Sequence, residues 1–213
     1  MARLQHNYGL IDTTYAKDMA LRDPALDGPI YMLNFMKYHA VAQYADGSGE
    51  QISGMEADDR YAPVEILADL GAYVSLFGNV KTASEDWDRL GCVCYPTRKS
   101  FIDMQSREDF AKKHEHKAAG MHHTTIVGLL PEGPMPAATR GRLLVELWKG
   151  DAPAVIPGTS PANFRVEGTI IGDGRDWTGA RISALDSDAT VDLSGANPEY
   201  LIVEIDARIN EWR

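Results

Sequence analysis

The segment HEHKAAGMHH, His114 to His123, holds four of the six histidines in the chain. Imidazoles at this density suit metal ligation or proton transfer near neutral pH, and their spacing separates the two. At about 100° per helical residue, His114 and His116 lie on nearly opposite faces. A metal shared by one helix wants ligands at i, i+3 or i, i+4. His122 and His123 are adjacent and, on a strand, point to opposite sides, so no metal site is expected. His114 stands four residues after Phe110 and four before Ala118, which places it on the apolar stripe. There it is either a satisfied core histidine or a general acid/base facing a cleft. His116 falls on the charged face with Asp109 and Lys112, near a helix C-terminus where Lys113 and Lys117 add positive charge.

Other polar residues stand where apolar ones would be expected. In the strand-like YMLNFMKY, alternation puts Met32, Asn34 and Met36 on one face and Tyr31, Leu33 and Phe35 on the other. A buried amide at Asn34 must find a partner, either a substrate carbonyl or a neighbouring loop. Trp87 either walls a cleft or packs on the sheet, and Asp88 could orient His114 or His116 as the carboxylate of a His–Asp pair. Tyr61 is expected on the inner side of a helix, Tyr44 in a Gly/Ser-rich loop able to act as a lid, and Glu146 as a buried carboxylate. Cys92 and Cys94, two apart in CVC, are poorly placed to bridge each other and read as reduced core thiols.

The elements that must hold these groups follow from pattern. Residues 1–28 read as an N-terminal extension with a short helix capped by Thr13 or Thr14. Strands are expected at 30–38, 72–80, 87–95 and 122–130. A helix is expected from about Asp58 to Leu70 with Pro63 in its first turn, followed by helical pieces at 100–104 and from a Ser106/Asp109 capping pair to Gly120. The loop AQYADGSGEQISG and the turn KTASED join them. This order, β-α-β-β-α-β, is the ferredoxin-like unit of an α+β protein. Beyond a Pro/Gly-rich linker at 131–141 the pattern partly repeats. LLVELWK aligns with YMLNFMK, placing Glu146 over Asn34, and GTIIGDGRDW aligns with GNVKTASEDW, placing Trp177 over Trp87. DAPAVIPGTSPANF and DSDATVDLSGANPE are too rich in Pro, Gly, Ser and Asp for helices. Residues 142–213 therefore read as a degenerate, strand-rich second copy packing on the unit at 29–130, with YLIVEIDARI as its last strand.

The 213 residues carry a net charge of −10, which disfavours nucleic acid or an anionic membrane as partner. No apolar run is long enough to span a bilayer and no secretion signal stands at the N-terminus, so a cytoplasmic protein is expected. Nucleotide, zinc-protease and serine-hydrolase motifs are missing, and no cofactor is expected.

Several stretches together are more specific: YMLNFMKY, YAPVEILADLGAYVSLFGNV, the Trp87–Asp88 pair, the step Tyr95-Pro96-Thr97-Arg98 with Phe101, and His114-Glu115-His116 ending in Ala119-Gly120. In these the first half resembles the DUF1330 family of the dimeric α+β barrel superfamily, over about residues 29–130. The resemblance implies a cleft between a curved sheet and its covering helices, and units that pair through their sheets as a homodimer; the C-terminal half departs from that pattern and could supply the second sheet within the same chain or build a larger dimer. His114, His116, Asp88 and Asn34 are the catalytic candidates, the resemblance adding weight to the two histidines. Tyr61, Trp87, Tyr44, Tyr95 and Glu146 are the candidates for contacting a small, aromatic substrate. The function expected is cofactor-free acid/base chemistry on a biosynthetic intermediate: cyclisation, dehydration, isomerisation or coupling. The alternatives are a haem- or oxygen-dependent barrel protein and a non-catalytic binding or partner-supporting module.

Overall fold

The computed structural model describes residues 3–45, 47, 51–81, 86–186, 189–191, 193 and 197–213. Most of the KTASED turn, part of the Gly/Ser-rich loop and part of DSDATVDLSGANPE lie outside the described residues.

The first half forms β3 (Ile30–Tyr38), β4 (Tyr73–Val80), β5 (Arg89–Tyr95) and β6 (Met121–Pro131), hydrogen-bonded in the order β6-β3-β5-β4. The second half forms β7 (Gly141–Trp148), β8 (Thr159–Gly172), β9 (Gly179–Leu185) and β10 (Tyr200–Asn210), in the order β10-β7-β9-β8. Both halves therefore run fourth-first-third-second, the ferredoxin-like order, with all neighbours antiparallel. Two seams join them. β4 pairs with β10, and β6 pairs with β8. The eight strands close a ring, and the arrangement of a dimeric α+β barrel is completed within one chain. The repeat seen in sequence is this pseudo-twofold: Trp87 and Trp177 each stand two residues before the third strand of their half, and both point into the barrel.

Alternation explains the two cores. Tyr31, Leu33 and Phe35 project into the barrel with Leu143, Val145 and Leu147 from β7, and with Phe164, Ile182 and Ile205. Each large apolar side chain so buried stabilises the fold by about 1.5–3 kcal/mol. Ile30, Met32, Met36 and Tyr38 face outward and are covered by helices. Those helices are α1 (Thr13–Leu21), α2 (Gly54–Tyr61), α3 (Val64–Asp69), α4 (Arg98–Gln105) and α5 (Glu108–Gly120). Among the described residues the second half has none, and its outer face carries buried ion pairs beside Leu144 and Trp148 instead. Arg142 donates to Glu204 at 2.8 Å, and Arg181, Glu146 and Tyr200 form a buried cluster. Arg181 also holds the carbonyls of Pro153 and Ala154, tying the loop after β7 across the strands where a helix would otherwise lie.

Three local expectations are corrected. The single helix over 58–70 is two, because Pro63 cannot donate to the ladder and splits α2 from α3. α1 is capped by Asp12, whose carboxylate accepts from the backbone N–H of Thr14 and Tyr15 at 2.9 Å. α5 starts after Arg107 with no side-chain cap. Asp109 binds Arg107 rather than pairing with Ser106. The N-terminal extension also does more than carry α1. Its hairpin, β1 (Arg3–His6) with β2 (Gly9–Asp12), adds to the β8 edge through Leu10 and Ile11.

Candidate functional site

Between the outward face of the first half's sheet and its helices lies a cavity of about 540 Å³. Its walls are mostly apolar: Met36, Leu67, Val93, Phe101, Phe110, Ile126 and Ile171 among others. Such a volume suits a small organic molecule. A few polar side chains reach it from several different elements.

α5 supplies His114 and Lys117. With Phe110 they follow i, i+4, i+7 spacing, so one helical face carries all three to the cavity. The N-terminal hairpin supplies His6 and Tyr8. The carbonyl of Tyr8 accepts from Thr124 N–H at 3.1 Å, which pins the hairpin turn on β6. The Tyr8 hydroxyl then lies 2.8 Å from His114 Nε2. α2 supplies Tyr61, whose ring meets that of His114 edge-on at 6.4 Å, and Asp58. Asp58 is held by Tyr38, whose hydroxyl donates at 2.6 Å, and by Arg89 at 3.3 Å. Arg89 also binds Asp59 at 2.7 Å and lies over the Phe77 ring.

Burial sets the protonation states. Desolvation first, then the positive charge of Lys117 and the neighbouring His6, push the His114 pKa down to about 4. Burial pushes the phenols of Tyr8 and Tyr61 up. At neutral pH the pair is thus phenol and neutral imidazole. One group donates and the other accepts, according to which ring nitrogen of His114 carries the proton. Lys117 is 8% exposed, and burial lowers its pKa against the opposing attraction of Asp58. The arrangement offers a proton relay and an amine facing an apolar space.

The candidate residues divide cleanly. His114, Asn34, Tyr61 and Tyr95 line the cavity. Asn34, however, donates its amide to the Met32 carbonyl of its own strand at 2.9 Å, and the Tyr95 hydroxyl points to Met104 Sδ. The other five lie elsewhere. His116 sits on the far side of α5, with the Tyr44 hydroxyl 2.7 Å from its Nδ1, so Tyr44 serves that contact and does not line the cavity. Asp88 meets neither histidine. It accepts from Tyr38 N–H at 2.9 Å and from Lys37 at 3.0 Å. Trp87 fills the barrel interior against Phe35. Glu146 is buried as expected, but in the second half, between Arg181 and Tyr200. Among the described residues no three His, Cys, Asp or Glu converge as a metal would require.

His6, Tyr8, Asp58, Arg89 and Lys117 were not among the candidates. Lys117 was legible, because it shares the face of Phe110 and His114 at heptad spacing. Its apparent place in a basic surface cluster hid it. Tyr8 carried no local signal, since only the long-range docking of the hairpin brings it to His114.

No family model matches the sequence, and neither does any curated protein. Solved structures do align with it. The methylated RPA0582 protein is 26% identical over 59% of this chain and 97% of that one, with a TM-score of 0.49. A second structure, of the RPA0582 protein of unknown function from Rhodopseudomonas palustris, is 25% identical over 52% and 88%, with a TM-score of 0.45. A mutant chlorite dismutase from Candidatus Nitrospira defluvii aligns over 89% of this chain and 94% of that one, at 11% identity and a TM-score of 0.47.

Proposed function

We propose that the cavity binds a small, largely apolar and aromatic molecule, and that His114 moves a proton on it without a cofactor. The observation that carries this reading is the Tyr8–His114 hydrogen bond, set inside an apolar cavity. A neutral imidazole is a base, and the phenol bonded to it can pass a proton between ring and ligand. The apolar lining excludes water and strengthens each polar contact within. Cyclisation, dehydration, isomerisation and coupling all need this service, and the DUF1330 resemblance of the first half agrees with a cleft here. A haem-binding reading draws less support, because the hydroxyl of Tyr8 already holds His114 Nε2. No helix among the described residues is long and apolar enough to cross a membrane. We infer a cytoplasmic protein that acts on a free small molecule. A homodimer of this chain would pair through surfaces other than the edges of β4 and β8, which β10 and β6 occupy.

The test is a thermal-shift screen of small aromatic compounds, followed by product analysis of every binder. His114→Gln and Tyr8→Phe should keep binding within a few-fold and lose conversion. A binder converted equally by His114→Gln would overturn the assignment, and a binder never converted would make this a binding protein.

A further inference from the structure

Lys117 is unlike the other lysines with a described contact. Lys37 pairs with Asp88 at a half-buried site, and Lys99 with Asp103 and Lys112 with Glu108 at exposed ones. Lys117 is buried, and among the described residues it makes no ion pair. Its Nζ lies 5.1 Å from the centre of the Tyr61 ring. Burial in a mostly apolar cavity disfavours the ammonium, so the Lys117 pKa falls from its usual value against the attraction of Asp58, and the neutral amine becomes more accessible. The neutral amine is a nucleophile. One turn back along the same helical face stands His114, with its bonded Tyr8 hydroxyl.

We propose that Lys117 is a covalent amine, which condenses with the aldehyde or ketone carbonyl of an aromatic ligand held in this cavity. The inference rests on the functional reading above and names its substrate class. The nitrogen lone pair attacks the carbonyl carbon and forms a carbinolamine. The carbon–oxygen bond then breaks, and the oxygen leaves as water with the two hydrogens that the amine gives up. The product is an imine between Lys117 Nζ and the ligand carbon. The Tyr8 hydroxyl, recharged through His114, hands the departing oxygen its proton. The imine then draws electrons from the neighbouring carbon, which eases proton removal there and suits the isomerisations and couplings considered above.

The probe is 2-naphthaldehyde, with sodium cyanoborohydride supplying hydride to trap the imine at pH 7. The comparison ligand is 2-naphthylmethanol, of similar shape but without a carbonyl. The full chain should gain the mass of one aldehyde less one oxygen, and peptide mapping should place it on Lys117 about tenfold ahead of any other lysine. Lys117→Met and Lys117→Arg should both lose that adduct, the second while keeping the positive charge. Melting temperatures with each ligand report occupancy of the cavity. If aldehyde and alcohol both raise the melting temperature but the label is absent from Lys117, the covalent role is overturned and the cavity reading stands. If neither ligand raises it and Lys117 is unlabelled, both fall.

Discussion

Tyr8 and His114 are 106 positions apart in sequence, yet hydroxyl and ring nitrogen meet at 2.8 Å. The contact joins the N-terminal hairpin to the last helix of the first half. It holds a half-buried histidine against a phenol at the cavity wall.

Removing either partner should be felt in turnover rather than in folding. His114→Ala is expected to lower kcat by about 10²–10⁴, the usual range for a positioned acid/base, and Tyr8→Phe by less. With the His114 pKa near 4, the neutral base is present from about pH 5 upward, so the acid limb of the rate profile should fall near 4, not near 6.5. Stability carries the same signature. The unfolded chain takes up the proton at about 6.5 and the folded one at about 4, so stability should decline as pH drops through that window. Urea titrations of wild type and His114→Gln at several pH values would measure it. Equal pH dependence in the two proteins would contradict the assignment.

Arg181 neutralises Glu146 in the second half, where both are almost completely buried. Arg181→Met leaves that carboxylate buried with the Tyr200 hydroxyl but without its cation, which costs about 3–5 kcal/mol. Chemical denaturation should show the loss, while ligand affinity per folded molecule stays unchanged, since Glu146 does not line the cavity.

α2 and α5 cross in backbone contact at Gly54 and Gly120. A methyl on Gly120 would lie 2.3 Å from the Gly54 carbonyl oxygen, and one on Gly54 would lie 2.3 Å from that of Gly120. Backbone cannot yield as a side chain does. Gly120→Ala should therefore destabilise by about 1–3 kcal/mol and shift α5, weakening ligand binding with it. A variant with wild-type denaturation midpoint and affinity would show that the crossing is not tight.

The barrel interior draws on both halves. A chain cut once in the Pro/Gly-rich linker should stay associated and run at its original size in gel filtration. The halves expressed separately should be insoluble, because each exposes an apolar sheet face. A soluble, monomeric first half would refute the shared core.

Much of the fold was legible because alternation and turn residues act locally. YMLNFMKY, AYVSLFGNV and HHTTIVGLL formed strands within a residue or two of their expected bounds. The match of Trp87 to Trp177 forecast the pseudo-twofold. Helical phase placed His114 on the apolar face that the cavity occupies. The site's other members were hidden where distance along the chain decides. Tyr8 depends on a hairpin docking across β8. Asp88 was matched with histidines as the carboxylate of a His–Asp pair, while the backbone N–H of Tyr38 and the Lys37 ammonium claim it. Lys117 was assigned to solvent by its neighbours' charge, although its phase put it with Phe110.

A barrel built from two equal subunits presents two equal clefts, one per helical layer. Here the second layer was replaced by a lattice of charges locked together by Arg142, Arg181, Glu146 and Glu204. Among the described residues the helical layer and the apolar cavity beneath it stand on one half only. With that cavity as the proposed ligand site, one guest per barrel is expected, and a saturation curve without cooperativity. The second half then serves as the wall that the first half closes against.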